Sequence, residues 1–374
     1  MNRAQLIIAD SEKNANLYYA TRFLAPDPFI LVQADGRKQL VMSDLELDRA
    51  KAQATVDEVL SYTALARQAK QRLSGEPTML DVVDELLQAY GAKAIEVPLD
   101  FSVGHADGLR QRGYEIVAKP EPFYPQRLLK SEEEIAFLTQ TLRATEDALE
   151  SAIELIRNSE IKADGTLWIG GKPLTVEMIR KVLHMQLLER NCIGQHTIIA
   201  CGAQAVDPHN EGSGPLRANE PIVMDVFPQH ADTRYFADIT RTIVKGKAAP
   251  KVRKMFDAVR EGQEIAFRMI KDGVDGSVVH QAILASFESL GFKTGPQDGR
   301  MQGFFHGTGH GVGLEIHEPP RISPRKDILR AGMVVTVEPG LYYMDAGGMR
   351  LEDMVVVTSD GCLVLTQAPK ILEV

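Results

Sequence analysis

A chain of 374 residues, 44% apolar and 25% charged, has room for two domains and the composition of an ordinary soluble globular protein. With 42 basic against 51 acidic residues it carries a net charge of −9, which disfavours nucleic acid and anionic membrane as partners. Three scattered cysteines, Cys192, Cys201 and Cys362, exclude a disulfide framework or thiolate metal site. With no signal-like start and no run near the about eighteen apolar residues of a membrane span, a cytoplasmic location is expected.

Residues 1 to about 125 alternate strand and helix signals. "FILVQADGRKQLVMS" is two apolar runs about Asp35-Gly36, a hairpin signal. "ELDRAKAQA" and "VVDELLQAYGAK" read as helices, the second closed by Gly91, while "AIEVPL" and "YEIVAKP" read as short strands. This predicts a small α/β domain over residues 1–125 with no chemistry of its own. A boundary follows near "PQRLLKSEEEIAFL", where Ser131 and Glu134 make a capping box that opens a long helix to roughly Asn158. Beyond it come a helix "TVEMIRKVLHMQLLER", strands around 196–201 and 221–244, helices near 250–271 and 276–290, and strands to residue 374. Strand runs broken by helix pairs predict an α+β domain over 126–374, built on an antiparallel sheet.

The dense carboxylate and histidine signals all lie after residue 200. "PIVMDVFP" and "RYFADITRTIV" read as strands that place Asp225 and Asp238 among apolar residues; "MVVTVEPGLY" and "MRLEDMVVVT" do the same with Glu338 and Glu352. A carboxylate inside an apolar strand must be paired, hydrogen-bonded or bound to metal, because burying it alone costs too much. Taken singly, each could be half of a buried ion pair. Four of them with a nearby neutral histidine balance two divalent cations, four charges against four, and mostly oxygen donors favour manganese or magnesium over a sulfur-rich zinc site. The stretch "HGTGHGVGLEIHEPP", from His306 to Pro320, holds the histidines. It lacks both G-x-G-x-x-G and H-E-x-x-H, and its alternating glycines argue against a helix. It reads as an extended backbone whose glycines leave room for metal and substrate.

"GTGHGVGLEIHE", "TVEPGLY", "RLED" and "DITRT" resemble the motifs of the pita-bread metallopeptidases: methionine aminopeptidase, aminopeptidase P, prolidase and the metal-free creatinase. The resemblance covers roughly residues 130–374, and the small preceding α/β domain is similar to that of aminopeptidase P, prolidase and creatinase. It implies metal ligands at Asp225, Asp238, His310, Glu338 and Glu352, with Asp238 and Glu352 bridging two ions, most readily Mn2+, with Co2+ or Zn2+ as alternatives. Because all five ligand types are present, it points away from creatinase-like amidinohydrolysis and from a non-catalytic binding protein on the same fold.

The same resemblance assigns His209 to substrate contact near the scissile bond and His317 to the developing oxyanion. Glu338 becomes the proton shuttle, and Arg350 the partner that orients the carboxylates. Arg350 stands two before Glu352, so period-two alternation puts both on one strand face. His306 reads either as support for the site or as a loop histidine; His105, His184, His196, His230 and His280 match no motif and read as structural or exposed. One departure stands out. The aspartates are 238 minus 225, or thirteen, apart, two more than the family's usual spacing, and Phe227 occupies a usual glycine. A longer turn carrying "PQHADT" absorbs the difference and is expected to alter substrate access. The implied function is hydrolysis of the bond between an N-terminal residue and proline, as an Xaa-Pro aminopeptidase or dipeptidase, by a metal-bridging hydroxide. Short proline-containing peptides would be the substrates and a homodimer the assembly.

Overall fold

A computed structural model describes residues 3–374. Contacts divide the chain into one compact unit ending at Arg127 and another spanning Leu128–Val374. The first unit is built on a six-stranded sheet of β1 (Arg3–Ala9), β2 (Phe29–Ala34), β3 (Arg37–Met42), β4 (Glu58–Ser61), β5 (Ala94–Pro98) and β6 (Glu115–Lys119), in the order β4-β3-β2-β1-β5-β6. The pairs β1–β2 and β2–β3 are antiparallel; the remaining three are parallel. At the turn between β2 and β3, Asp35 and Gly36 have φ of 50° and 76°. Those are the two left-handed positions that a two-residue type I′ hairpin requires and that Asp-Gly supplies cheaply.

β2 is apolar on both sides because both sides are covered. Ile30 and Val32 join Leu6, Val82 and Leu86 in one core, whereas Phe29 and Leu31 join Ile7, Leu17 and Phe123 in the other. Sequence periodicity missed β1, β4 and three helices, Ala15–Thr21, Tyr62–Lys70 and Val103–Gln111. The first helix has only seven residues, too few for a helical period to emerge, and the last carries Gly104 and Gly108 in its interior.

The second unit opens with the helix Glu132–Arg157. Its capping box is formed: the Ser131 hydroxyl accepts the Glu134 N–H and the Glu134 carboxylate accepts the Ser131 N–H. Three strands, β7 (Ile198–Cys201), β8 (Pro221–Val226) and β9 (Ile239–Val244), form one antiparallel sheet in chain order. A second sheet gathers β10 (Gly309–Gly311), β11 (Glu318–Ile322), β12 (Val334–Val337), β15 (Asp353–Val357) and β16 (Cys362–Val364), ordered β11-β10-β12-β15-β16 and again antiparallel. The hairpin of β13 (Gly340–Tyr343) and β14 (Gly347–Arg350) is inserted between β12 and β15. Helices Pro250–Met269 and Gly276–Ser289 pack Met255, Val259, Ile283 and Phe287 against Val335, Val337 and Val355. The unit is therefore α+β with antiparallel sheets, as its sequence predicted. Among the described residues no helix is long and apolar enough to cross a membrane.

Candidate metal centre

Strand register brings the carboxylates together from both sheets. Asp225 lies in β8 with Ile198 across from it on β7 and Thr240 on β9. Asp238 immediately precedes β9, Glu338 immediately follows β12, and Glu352 falls in the two-residue gap between β14 and β15. Three of the four carboxylates thus stand at strand ends, not within strands as predicted. The reason lies in contacts with other segments. The Glu338 N–H is taken by Thr308 O at 2.7 Å and the Glu352 N–H by Thr240 O at 3.0 Å, so each backbone leaves its ladder and its side chain turns inward.

The expected strand joining Arg350 and Glu352 is likewise interrupted, since β14 ends at Arg350 and β15 begins at Asp353. Thr240 connects them. Arg350 Nε donates to Thr240 Oγ1 at 3.1 Å, and that hydroxyl donates to Glu352 Oε2 at 2.8 Å. Arg350 also pairs with Asp225 at 2.6 Å.

His310, in the middle of β10, donates its Nδ1–H to Gly311 O at 3.0 Å. Its Nε2 therefore carries a lone pair. That atom faces two oxygens, Glu338 Oε1 at 3.4 Å and Asp238 Oδ2 at 3.6 Å, and burial holds the imidazole neutral, with its pKa pushed down to about 3. One donor atom each of Asp238, His310 and Glu352 lie within 4.8 Å of one another. Asp225 Oδ1 and Asp238 Oδ1 are buried without a hydrogen-bond partner. Burial, reinforced by mutual repulsion, raises Asp238 and Glu352 well above the ordinary carboxylate range, and Glu338 is raised by burial to about 7. A lone pair aimed at carboxylates, and orphaned oxygens beside it, are what a divalent cation would satisfy; the donor set fits one.

His209, His317 and Arg321 line the same cavity of about 920 Å³ as these carboxylates. His317 is exposed, with its ring 4.4 Å from that of His310 and nearly perpendicular to it. Its loop is pinned from behind, because buried Glu318 pairs with buried Lys130 at 2.8 Å and accepts the Glu315 N–H at 3.1 Å. Of the two readings left open for His306, support for the site is the one the contacts match. Its Nδ1–H goes to Gly307 O at 2.8 Å, its Nε2 accepts from the Tyr342 hydroxyl at 2.9 Å, and Tyr342 in turn accepts from Arg350 Nη1 at 2.9 Å.

Three residues, Arg321 in the cavity wall, Tyr342 and Arg241, escaped sequence reasoning. Tyr342 stands inside the quoted "TVEPGLY" but was given no role of its own. Arg241, inside "DITRT", is fully buried and grips the site from the back, donating to Glu352 O at 2.7 Å and Thr240 O at 2.9 Å and pairing with Asp353 at 2.8 Å. A charged residue in an otherwise apolar strand was the signal available for it.

One expectation is narrowed and another is corrected. A Cβ on Gly309 would lie 1.9 Å from Thr336 O, and one on Gly311 2.2 Å from Pro319 O. The missing side chains of Gly309 and Gly311 admit neighbouring protein backbone, although Gly307 and Gly309 also line the cavity. The longer turn after Asp225 does not shape the cavity: Phe227 lines it, but no residue from 228 to 237 does. That turn is tied elsewhere, with Cys192–Ile193 paired to Gln229–His230 and Gln140 bonded to His230. Of the unmatched histidines, His184, His230 and His280 hold polar neighbours, Thr197, Gln140 and Thr308, and His196 is exposed.

Residues 136–359 match metallopeptidase family M24, and residues 1–128 match the creatinase/prolidase N-terminal domain. An Xaa-Pro dipeptidase of Pyrococcus furiosus is 27% identical over 364 residues, 96% of this chain and 92% of that protein. Among solved structures, the prolidase of Pyrococcus horikoshii OT3 is 25% identical with a TM-score of 0.79, covering 99% of this chain and 95% of that one. The X-Pro aminopeptidase of Thermotoga maritima MSB8 is 24% identical with a TM-score of 0.82, covering 100% and 98%. The fold is therefore a creatinase-like α/β unit followed by a pita-bread unit.

Proposed function

The chain belongs to metallopeptidase family M24, and from that premise we propose that it hydrolyses the bond between an N-terminal residue and proline, using two divalent ions held by Asp225, Asp238, His310, Glu338 and Glu352. The observation that carries this reading is the His310 Nε2 lone pair facing Asp238 and Glu338. An imidazole lone pair and a carboxylate oxygen are both acceptors, so the contact becomes favourable when a divalent cation, or in its absence a proton, lies between them. Manganese is the favoured ion, because four of the five donors are carboxylates.

Bound divalent ions supply Lewis acidity and bring the pKa of water towards neutrality. The chain's own groups do the rest. Glu338, which lines the cavity, takes the proton of the attacking water and delivers it to the leaving nitrogen. The proline nitrogen, like any amide nitrogen, must receive that proton to leave, and it leaves as a secondary amine. His317, exposed at the cavity beside His310, donates to the carbonyl oxygen as charge develops there. His209 orients the substrate across the scissile bond, and the chain Arg350, Tyr342, His306 keeps Asp225 oriented.

Exposed Arg321 lines the cavity from β11 and lies close enough to lower the pKa of Glu338. A fixed cation there attracts a free carboxylate, which in a dipeptide belongs to the proline itself. The substrates we favour are therefore Xaa-Pro dipeptides. The test is to measure metal content and then assay manganese-loaded protein on Xaa-Pro, Xaa-Pro-Yaa and Met-Ala-Yaa peptides. Fastest turnover of Xaa-Pro is expected. Full activity in chelator-stripped protein, or cleavage confined to Met-Ala-Yaa, would sink the reading.

A further inference from the structure

The cavity has two walls of different character, and register sets one of them. Asp225 stands across from Thr240, and Val226 pairs with Ile239, so the next row sets Phe227 across from Asp238. Side chains two apart in an extended chain share a face. Asp225 and Phe227 accordingly both line the cavity, as does Ile198, the cross-strand neighbour of Asp225 on β7. Phe227 and Ile198 give this wall an apolar patch, while the loop that follows β7 adds Asp207 and His209 to it. The opposite wall comes from the other sheet and its loops and carries His317 and Arg321. The carboxylates from both sheets meet between the two.

A dipeptide lying across the carboxylates, with its proline carboxylate drawn to Arg321, turns its N-terminal residue to the wall of Phe227 and Ile198. We propose that Phe227, with Ile198, forms an apolar subsite that selects a leucine-sized or larger apolar N-terminal side chain over glycine. The proposal rests on the Xaa-Pro reading above for the direction in which the substrate lies. Phe227 is half-buried, so part of its surface is free to meet a ligand. It is also the residue at which the chain departs from the family pattern, and the aromatic ring gives this wall a surface that a glycine would not.

The test compares wild type with Phe227→Ala and Phe227→Leu, each manganese-loaded to the same metal content, with melting temperatures recorded. kcat/KM is measured for Leu-Pro and Gly-Pro. In Phe227→Ala the Leu-to-Gly ratio is expected to fall about tenfold, the scale of losing one good apolar contact in a pocket. In Phe227→Leu, which keeps most of the apolar volume, the ratio is expected to stay within about threefold of wild type. Calorimetric titration with free L-leucine and with glycine gives a second readout, in which Phe227→Ala weakens leucine more than glycine. An unchanged Leu-to-Gly ratio together with unchanged leucine affinity overturns the subsite. If the wild type cuts no Xaa-Pro dipeptide, the peptidase reading fails by itself, while the leucine and glycine titrations still decide whether Phe227 recognises an apolar side chain.

Discussion

At His310 a single proton organises the site. Because the Gly311 carbonyl takes the Nδ1–H, the other ring nitrogen offers a lone pair to a space bordered by carboxylates. Glu352 stands on the far side of that space, buried and tied to Thr240. Removing its carboxylate would leave the remaining donors one bridge short. We expect Glu352→Ala to lower bound manganese from about two ions to about one and to cut kcat/KM by more than ~100-fold, beyond the loss typical of an outer-sphere partner. Elemental analysis and dipeptide assays check this, and two tightly bound ions with normal turnover would refute the bridging role.

Arg241 acts on the scale of elements. It lies on β9 yet holds the backbone at Glu352, the carboxylate of Asp353 on β15, and the carbonyls of Ala368 and Pro369 at 2.7 and 3.2 Å. Lys370 adds a second cation on Asp353 at 2.7 Å. Replacing Arg241 by methionine would leave Asp353 underpaired and several buried carbonyls without donors. The expected loss is about 3 kcal/mol in denaturant unfolding, the usual cost of breaking a buried ion pair. Arg241→Lys should recover little of it, since an ammonium cannot reproduce the planar fork. A loss below about 1 kcal/mol in the methionine variant would mean that the clamp is dispensable. This network was not legible in the sequence, because an arginine in a strand announces its charge but not which loops it will reach. The four carboxylates stood out in the sequence, because carboxylates in apolar surroundings need a reason to be there; their proposed roles as ligands, and that of His310, came from the family resemblance. The strand-end placement of the carboxylates was not legible, since Thr308 and Thr240 take the Glu338 and Glu352 amides through contacts distant in sequence.

For the molecule as a whole, the buried carboxylates couple stability to pH in an unusual direction. Asp238, Glu338 and Glu352 have raised pKa values when folded, so they bind protons more tightly folded than unfolded. Their contribution is lost as pH rises through those raised values. His306 and His310, each lowered to about 3, act oppositely, costing stability as pH falls through the unfolded histidine value of about 6.5. With three such carboxyls against two such histidines, chelator-treated protein should gain thermal stability as pH falls from about 8 towards about 5, less steeply below about 6.5 where the unfolded histidines begin to bind protons. Manganese should abolish the alkaline side of that curve, because bound cations replace the protons. Melting temperatures across this range check the prediction, and a chelated protein that is steadily more stable towards pH 8 would contradict it. At this scale the α+β character of the second half followed from the alternation of strands with helix pairs. β1, β4 and the short helices of the first unit did not, because their few residues become apolar faces only once a sheet exists to cover.

The close approach at Gly309 and Gly311 has a consequence for how such an enzyme can change. With a neighbouring carbonyl within 2.2 Å of each missing Cβ, no side chain can be added there without moving β11 or β12, so the strand that carries His310 tolerates almost no drift. Phe227 is under no such constraint at its exposed edge. New substrate preferences can therefore be acquired by rewriting the apolar patch, while the strand beneath it must be inherited unaltered.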